Sequence, residues 1–309
     1  MSTEPTLQEL LEVQAYFGLP SAALVEKDWR VVRALAALVQ ADIAPLRLVF
    51  GGGTALCRAY RLIRRMSEDI DLKIVADTEP TRPALRHLRE TLTHALQAGG
   101  FAFDPSNPAQ RLSRNESRYT LYRLPYTPLL RGAGTLRPEI QIETAVWPLR
   151  QPAVDLPVSS FIAEAFQSPP EVPRIACVSI TQTAAEKFVA LTRRIAAEQA
   201  NAKAAYDLTL IRHVYDLHVI RARCACAEVA ALAMVIMRQD AEVFGNQFPA
   251  YRANPLAETQ RAILALATDE RYAQCYADFR RAMVYSGEAP DYGVCLQTLH
   301  EFFACLTGS

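Results

Sequence analysis

The chain has 309 residues, of which 50% are hydrophobic and 21% are charged, a composition typical of a globular protein with a sizeable core. Its 33 basic and 33 acidic side chains cancel, so no overall positive field points to a nucleic acid, and we predict no DNA partner. No apolar run approaches the roughly 20 residues that a membrane-spanning helix needs, and the first residues lack a signal-peptide pattern. We therefore expect a cytoplasmic protein without a membrane partner.

Seven cysteines are scattered along the chain. Cys224 and Cys226 form the only closely spaced pair, and no His or Cys flanks them at zinc-ligand spacing. We predict reduced thiols rather than a metal site or a disulfide framework.

The first elements are two amphipathic helices. The first covers 6–17, and the second begins after Ser21, a plausible N-cap, and continues to about residue 40. The apolar run 46–50 ends in three glycines, which fits a buried strand followed by a tight turn. Helical periodicity returns over 54–64.

Alternating patterns predict strands at 70–75, 118–124 and 139–146, with a helix over 82–97. A proline-rich connecting stretch follows, and later segments are all helical in pattern: 181–198, 203–221, 226–238, 256–268, 270–284 and 293–306. The plan is an α+β chain with an α/β domain built on a mixed sheet at 1–175 and a helical domain at 176–309.

The glycines between the first strand and the next helix form a candidate phosphate site. Backbone N–H groups at a helix N-terminus attract an anion, and Gly52 and Gly53 carry no Cβ that would block its approach. Thr54 can add a hydroxyl donor. The turn is not a P-loop, because no Lys-Ser/Thr pair follows the glycines, and its spacing does not match a dinucleotide fingerprint.

Two carboxylates begin the second predicted strand. Alternation places Asp69 and Asp71 on one side of that strand, and the repulsion between them favours a divalent cation. Oxygen ligands suit Mg²⁺. A third carboxylate is expected from 139–146, where Glu139 and Glu143 share a face; we prefer Glu143, because Glu139 lies at the strand end beside Pro138.

A glycine turn alone is usually only a turn, and a lone Asp-x-Asp is usually a solvated strand edge. The two features together are much more specific. In this chain they read Gly-Gly-Thr-Ala-Leu at 52–56 and Arg-x-Ser-x-Asp-Ile-Asp-Leu at 65–72. With these motifs the sequence resembles the AbiEii/AbiGii-type nucleotidyltransferase toxins of bacterial toxin–antitoxin systems, within the DNA polymerase β-like nucleotidyltransferase superfamily. Segments 25–29, 186–191 and 212–217 also resemble family elements.

The resemblance implies site residues beyond the glycine turn: Asp69, Lys187 and Asp216 as catalytic, with Arg65 and Ser67 beside the nucleotide. One departure is His213, where the family usually has Asp. Arg194 lies seven residues after Lys187 on one helix face and is expected to bind the nucleotide with it. Geometry adds a catalytic role for Asp71, whereas the Glu26–Asp28 element is expected to be structural.

We expect an Mg²⁺-dependent enzyme that moves a nucleoside monophosphate from an NTP to an acceptor hydroxyl. The resemblance points to the 3′ end of tRNA as acceptor and to a cognate antitoxin protein as partner, and we expect the helical domain to close the active-site cleft. The alternatives are a protein side chain or a small molecule as acceptor, or a nucleotide-binding regulator without turnover.

An RNA acceptor needs cations for its phosphates. The candidate track is a set of arginines after the glycine turn and in the β-rich region, namely Arg58, Arg61, Arg64, Arg111, Arg114, Arg118 and Arg123. Tyr119 and Tyr122 alternate with the second group and could stack on unpaired bases, although core packing is the expected fate of one of them.

Overall fold

The computed structural model describes residues 4–130, 136–200, 207–285, 287 and 289–308. The chain divides into two compact units, Met1–Val178 and Ser179–Ser309. The first contains a mixed sheet with flanking helices and the second is helical, which confirms the predicted α+β class.

Two helices open the first unit. Helix α1, Leu7–Phe17, begins with a capping box between Thr6 and Glu9, and α2, Ala22–Val39, begins at the predicted N-cap Ser21. A third long helix, α4, covers Arg82–Ala98 and is also capped by a threonine. These boundaries confirm the helices predicted from the sequence.

The sheet has seven strands in the order β3-β4-β5-β2-β1-β7-β6. In chain order they are β1 Arg47–Gly51, β2 Asp69–Val75, β3 Arg111–Arg114, β4 Tyr119–Pro125, β5 Glu139–Val146, β6 Val154–Val158 and β7 Val172–Cys177. The β2–β5 and β1–β7 pairs are parallel and the other pairs are antiparallel, as a mixed sheet requires.

The core of this unit lies on one face of the sheet. Ile70, Leu72 and Ile74 of β2 are buried there, together with apolar side chains of α2 and α4. The residues that alternate with them along β2 are only half-buried, so the same strand has a second, polar face.

The proline-rich stretch is not a connector, contrary to the prediction. It contains β6, the short helix α5 at Phe161–Ala165, and β7, whose Cys177 pairs with Phe50 of β1. Pro157 lies in β6, the last strand of the sheet, where the register shifts. Proline is tolerated there because an edge strand can lack one ladder hydrogen bond.

The helical segment after the glycine turn is shorter than predicted. It consists of α3, Gly52–Thr54, and a π-helical turn, Ala55–Ala59. Arg61 has a φ of 55°, so the helix cannot continue to residue 64.

The second unit contains seven α-helices among its described residues: α6 Ile180–Ala200, α7 Ile211–Ile220, α8 Cys226–Phe244, α9 Pro249–Ala253, α10 Pro255–Thr268, α11 Glu270–Met283 and α12 Tyr292–Thr307. Six of these were predicted; α9 was not. The predicted beginning of α7 at 203–206 lies outside the described residues. In the part of the chain that the structure describes, no helix combines the length and apolarity that crossing a bilayer requires.

Cys226 and Cys305 are joined as a disulfide between α8 and α12. The prediction of reduced thiols is therefore wrong for this pair. Their separation of 79 residues in the sequence hides the pairing, which only the packing of α8 against α12 brings about.

Candidate active site

The glycine turn and the acidic strand are in direct contact. Strand β1 ends at Gly51, whose register partner on β2 is Asp71. Gly52 has a φ of +70°, and a Cβ placed on it would lie 1.7 Å from Asp71 Oδ2. Only glycine fits this position, because the carboxylate occupies the space that any side chain would need.

The second glycine contacts the two side chains that the resemblance places beside the nucleotide. A Cβ on Gly53 would lie 2.5 Å from Arg65 Nη2 and 2.7 Å from Ser67 Oγ. Arg65 is buried, and its Nη1 donates to the Met66 carbonyl at 2.8 Å. The structure therefore brings Arg65 and Ser67 to the turn, at Gly53.

Thr54 links the turn to the acidic strand. Its side chain is buried, its Oγ1 lies 3.0 Å from Ser67 Oγ, and its hydroxyl donates to the Asp69 carbonyl. The hydroxyl thus holds the beginning of β2 against the glycine turn. Its contact with a phosphate stays a prediction.

Asp69 and Asp71 lie on the half-exposed face of β2, with Ile70 buried on the opposite face. The parallel neighbour β5 places Gln141 beside Asp69 and Glu143 beside Asp71. Adjacent strands are about 4.8 Å apart, so Asp71 and Glu143 are immediate neighbours.

The other candidate for the third carboxylate lies farther along β5. Glu139 pairs with Pro125 of β4, and its Oε1 is 3.9 Å from Arg123 Nε. By register, Glu143 and not Glu139 is the neighbour of Asp71, and the choice between them as a metal ligand stays a prediction. Gln141 Nε2 donates to Glu143 Oε1 at 3.1 Å. Burial raises the pKa of the Tyr119 hydroxyl to about 12, and the negative charge of the nearby Glu143 acts in the same direction.

A guanidinium that the sequence reasoning did not identify lies on this acidic face. Arg137 Nη2 forms an ion pair with Asp69 Oδ1 and lies 3.4 Å from Glu68 Oε1, while Nη1 donates to Gln141 Oε1 at 2.6 Å. Its only sequence signal is a basic residue just before a strand with alternating acids, which is too common to single out.

The Glu-Lys-Asp element of α2 ties three parts of the first unit together. Lys27 is fully buried; its Nζ is 3.1 Å from Glu68 Oε2 and donates to the carbonyls of Arg137 and Glu139. Burial lowers the pKa of Lys27, and the charge of Glu68 opposes that shift. Glu26 accepts from the backbone N–H of Leu129.

Asp28 makes the third of these connections. Its Oδ1 lies 3.3 Å from Arg58 Nε, and its Oδ2 accepts from the Phe161 N–H at 2.7 Å. Burial raises the pKa of Asp28 to about 6, against the opposing charge of Arg58. These contacts agree with the structural role expected for the element.

The structure also revises the proposed RNA track. Arg58 is buried, pairs with Asp28 and stacks 3.8 Å from the centre of the Phe161 ring, so its place in an RNA-binding row was wrong. Tyr122 is fully buried, and its hydroxyl donates to the Arg89 carbonyl; it belongs to the core. The other arginines of the track are exposed or half-buried: Arg61, Arg64, Arg111, Arg114, Arg118 and Arg123.

In the second unit, Lys187 of α6 and Asp216 of α7 form a buried ion pair. Lys187 Nζ lies 2.9 Å from Asp216 Oδ2 and 3.3 Å from His213 Nδ1. The two residues that the resemblance implies are therefore neighbours, and His213 contacts the same ammonium group. Arg194 is exposed and pairs with Asp207.

The acidic face fits Mg²⁺ in its chemistry, since Asp69, Asp71 and Glu143 offer only oxygen donors. Among the described residues, no three His, Cys, Asp or Glu side chains are already gathered as a metal-binding group. Arg137 instead engages Asp69. The three-carboxylate metal site, and the participation of Lys187 and Asp216 in it, remain predictions.

Comparison with known proteins identifies both a family and a similar fold. The model of the family described as nucleotidyl transferase AbiEii toxin, type IV TA system, matches residues 33–298. The fold is similar to that of MenT4, a nucleotidyltransferase toxin from Mycobacterium tuberculosis H37Rv, with a TM-score of 0.57 and 18% identity over 97% of this chain and 90% of that one. No curated protein sequence matches the chain significantly.

Proposed function

Since this chain belongs to the AbiEii family of nucleotidyltransferase toxins of type IV toxin–antitoxin systems, we propose that it transfers a nucleoside monophosphate from an NTP to the 3′ end of tRNA with Mg²⁺. The acceptor hydroxyl attacks the α-phosphorus, the bond to the bridging oxygen breaks, and pyrophosphate leaves. The proposed protein partner is a cognate antitoxin.

The contact between Gly52 and Asp71 carries this proposal. A triphosphate held by the N–H groups of the glycine turn would lie next to the carboxylates of β2, and two anionic groups that close need a cation between them. We assign this role to Mg²⁺ held by Asp69, Asp71 and Glu143. When bound, it would neutralise the phosphates and favour the attacking alkoxide.

The side chains around the turn have separate proposed roles. The Gly52 and Gly53 N–H groups bind phosphate oxygens, with Thr54 holding the turn against Asp69. Arg65 and Ser67, both at Gly53, orient the triphosphate. These are positioning roles, and positioning with charge neutralisation supplies most of the rate in phosphoryl chemistry.

The second unit supplies a further cation in this proposal. Lys187 would neutralise phosphate charge, with Asp216 fixing its ammonium group through the buried ion pair. Arg194, on the same helix, would contact the nucleotide after leaving Asp207.

The test is a labelling experiment with the whole protein. Purified wild type is incubated with each α-labelled NTP, Mg²⁺ and total cellular RNA, alongside Asp71→Asn. Asp77→Asn is the matched control, because Asp77 follows β2 and its side chain is 92% exposed. We expect labelled tRNA with wild type and the control, and none with Asp71→Asn or with EDTA.

Other results would change the proposal. Label found on a protein or on a small molecule would mean that the acceptor is not tRNA, while the nucleotidyl-transfer reaction would stay as proposed. Absence of label with all four NTPs would favour a nucleotide-binding regulator. Full activity of Asp71→Asn would exclude the assigned metal site.

A further inference from the structure

The guanidinium of Arg137 stands where the proposed metal site begins. We propose that Arg137 is a built-in competitor of the divalent cation: it holds Asp69 when no metal is bound and must leave that carboxylate when the metal binds. This inference rests on the proposed function and assigns a regulatory role to a residue outside the sequence motifs.

The contacts of Arg137 span two strands. Its Nη2 pairs with Asp69 Oδ1 on β2, and its Nη1 donates to Gln141 Oε1 on β5 at 2.6 Å. Asp69 and Gln141 are register partners, so the fork of the guanidinium bridges them directly. A cation coordinated by the same Asp69 oxygen would displace it, because both positive groups cannot occupy one site.

Release of the side chain from Asp69 would also break its hydrogen bond to Gln141, but it would leave the buried Glu68 paired. Glu68, the other acid near Arg137, also pairs with Lys27 at 3.1 Å and therefore keeps a cation. The Arg137 carbonyl accepts from Lys27 Nζ at 2.7 Å, which fixes the backbone. The Arg137 side chain is 41% exposed, so it can turn towards solvent without moving the strand.

The acids on this face explain why such a counter-ion is present. Asp71 and Glu143 are register partners, and Asp69 is on the same face of β2. Carboxylates this close repel one another unless a cation lies nearby. Arg137 supplies one positive charge, and a divalent cation supplies two, so Mg²⁺ can replace it at sufficient concentration.

The test measures metal binding directly, with Mn²⁺ alone as the probe, from the electron paramagnetic resonance signal of free Mn²⁺ at fixed ionic strength. Arg137→Ala is compared with wild type and with Arg123→Ala, which removes the same charge from the neighbouring strand β4. We expect Arg137→Ala to bind Mn²⁺ about tenfold more tightly than wild type does, because the metal no longer has to displace one charge-assisted contact. Arg123→Ala should change the affinity by less than about twofold.

A second measurement guards against a folding defect. Thermal unfolding of Arg137→Ala and of the milder Arg137→Gln should show a larger stabilisation by Mn²⁺ than wild type shows, because tighter binding to the folded state raises its stability. Equal or weaker Mn²⁺ binding in both variants would overturn the competitor role alone. Absence of Mn²⁺ binding in every protein, wild type included, would overturn the metal site and this inference together.

Discussion

Gly52 and Asp71 approach each other so closely that a methyl group on Gly52 would lie 1.7 Å from Asp71 Oδ2. They belong to different motifs, the glycine turn after β1 and the acidic pair of β2. The antiparallel register Gly51–Asp71 brings the two motifs together. The glycine is therefore needed for two reasons: its left-handed backbone and the space that the carboxylate fills.

Gly52→Ala is expected to abolish nucleotidyl transfer, because the new Cβ would force Asp71 out of position. Gly18→Ala is the matched control: Gly18 also has a left-handed φ, +61°, but nothing lies within 4 Å of its Cβ position. Both variants should lose about 1–2 kcal/mol of stability from backbone strain. Steady-state transfer rates and urea unfolding distinguish the effects, and equal activity of the two variants would contradict the steric argument.

Lys187→Ala is expected to lower transfer per folded molecule far more than Arg193→Ala. Both side chains belong to ion pairs that are largely shielded from solvent. Lys187 pairs with Asp216, and Arg193 pairs with Asp240 and stacks 3.9 Å from the centre of the Phe244 ring. Each loss should therefore destabilise the protein, by ~3–5 kcal/mol for Lys187, whose removal takes an ammonium partner away from the fully buried carboxylate of Asp216. The kcat/KM values, corrected for the folded fraction, are the decisive readout. Equal values would reduce Lys187 to a structural residue.

The stability of the first unit should depend on pH through Asp28. Burial raises the pKa of this carboxyl to about 6 from 3.8. Between these values the folded protein keeps a proton that the unfolded chain has released, so the unfolding free energy falls as the pH rises from about 4 to about 6 and then levels off.

The Asp28→Asn variant has no carboxyl to titrate at this position, so the difference between wild type and variant isolates the contribution of Asp28. The unfolding free energy of wild type minus that of the variant should fall by ~3 kcal/mol over the same range. Urea denaturation at several pH values measures the difference. An increase with pH would mean that the charge of Arg58, rather than burial, dominates the carboxyl.

Transfer to RNA should depend on salt and on the arginines of the β3–β4 edge. In an Arg114→Ala/Arg118→Ala double variant, tRNA labelling should fall, and its slope against the logarithm of salt concentration should become shallower by about 1 to 2. Arg47→Ala/Arg174→Ala is the control, because both side chains are well exposed, 65% and 77%, at other places on the sheet. Labelling that responds equally to both double variants would remove the proposed track.

Much of the fold was predictable because its signals are local. The N-cap of α2, the strand before the glycines and the alternation along β5 all lie within short windows, and the structure confirms them. Strands β6 and β7 were missed because their prolines dominate the local pattern. Their strand character depends on pairing with each other and, for β7, with the distant β1.

The site shows the same division. The motif residues Arg65 and Ser67 meet Gly53 at the glycine turn, and their place beside a nucleotide stays a prediction. Arg137 could not be predicted, because its importance comes from the register of β2 with β5 and from the Lys27 contact with its carbonyl. Sequence spacing contains neither relationship.

The parallel pairing of β1 with β7 bears on the order of events during synthesis. The Val178 N–H donates to the Phe50 carbonyl, and the Tyr60 hydroxyl donates to the Val178 carbonyl, so the glycine turn is braced by residues made much later. A nascent chain that stops before β7 leaves β1 as an edge strand, paired with β2 on one side and with no strand on the other. Prematurely terminated products should therefore be inactive. Active toxin would be present in the cell only after the ribosome has translated the last strand of the sheet, β7.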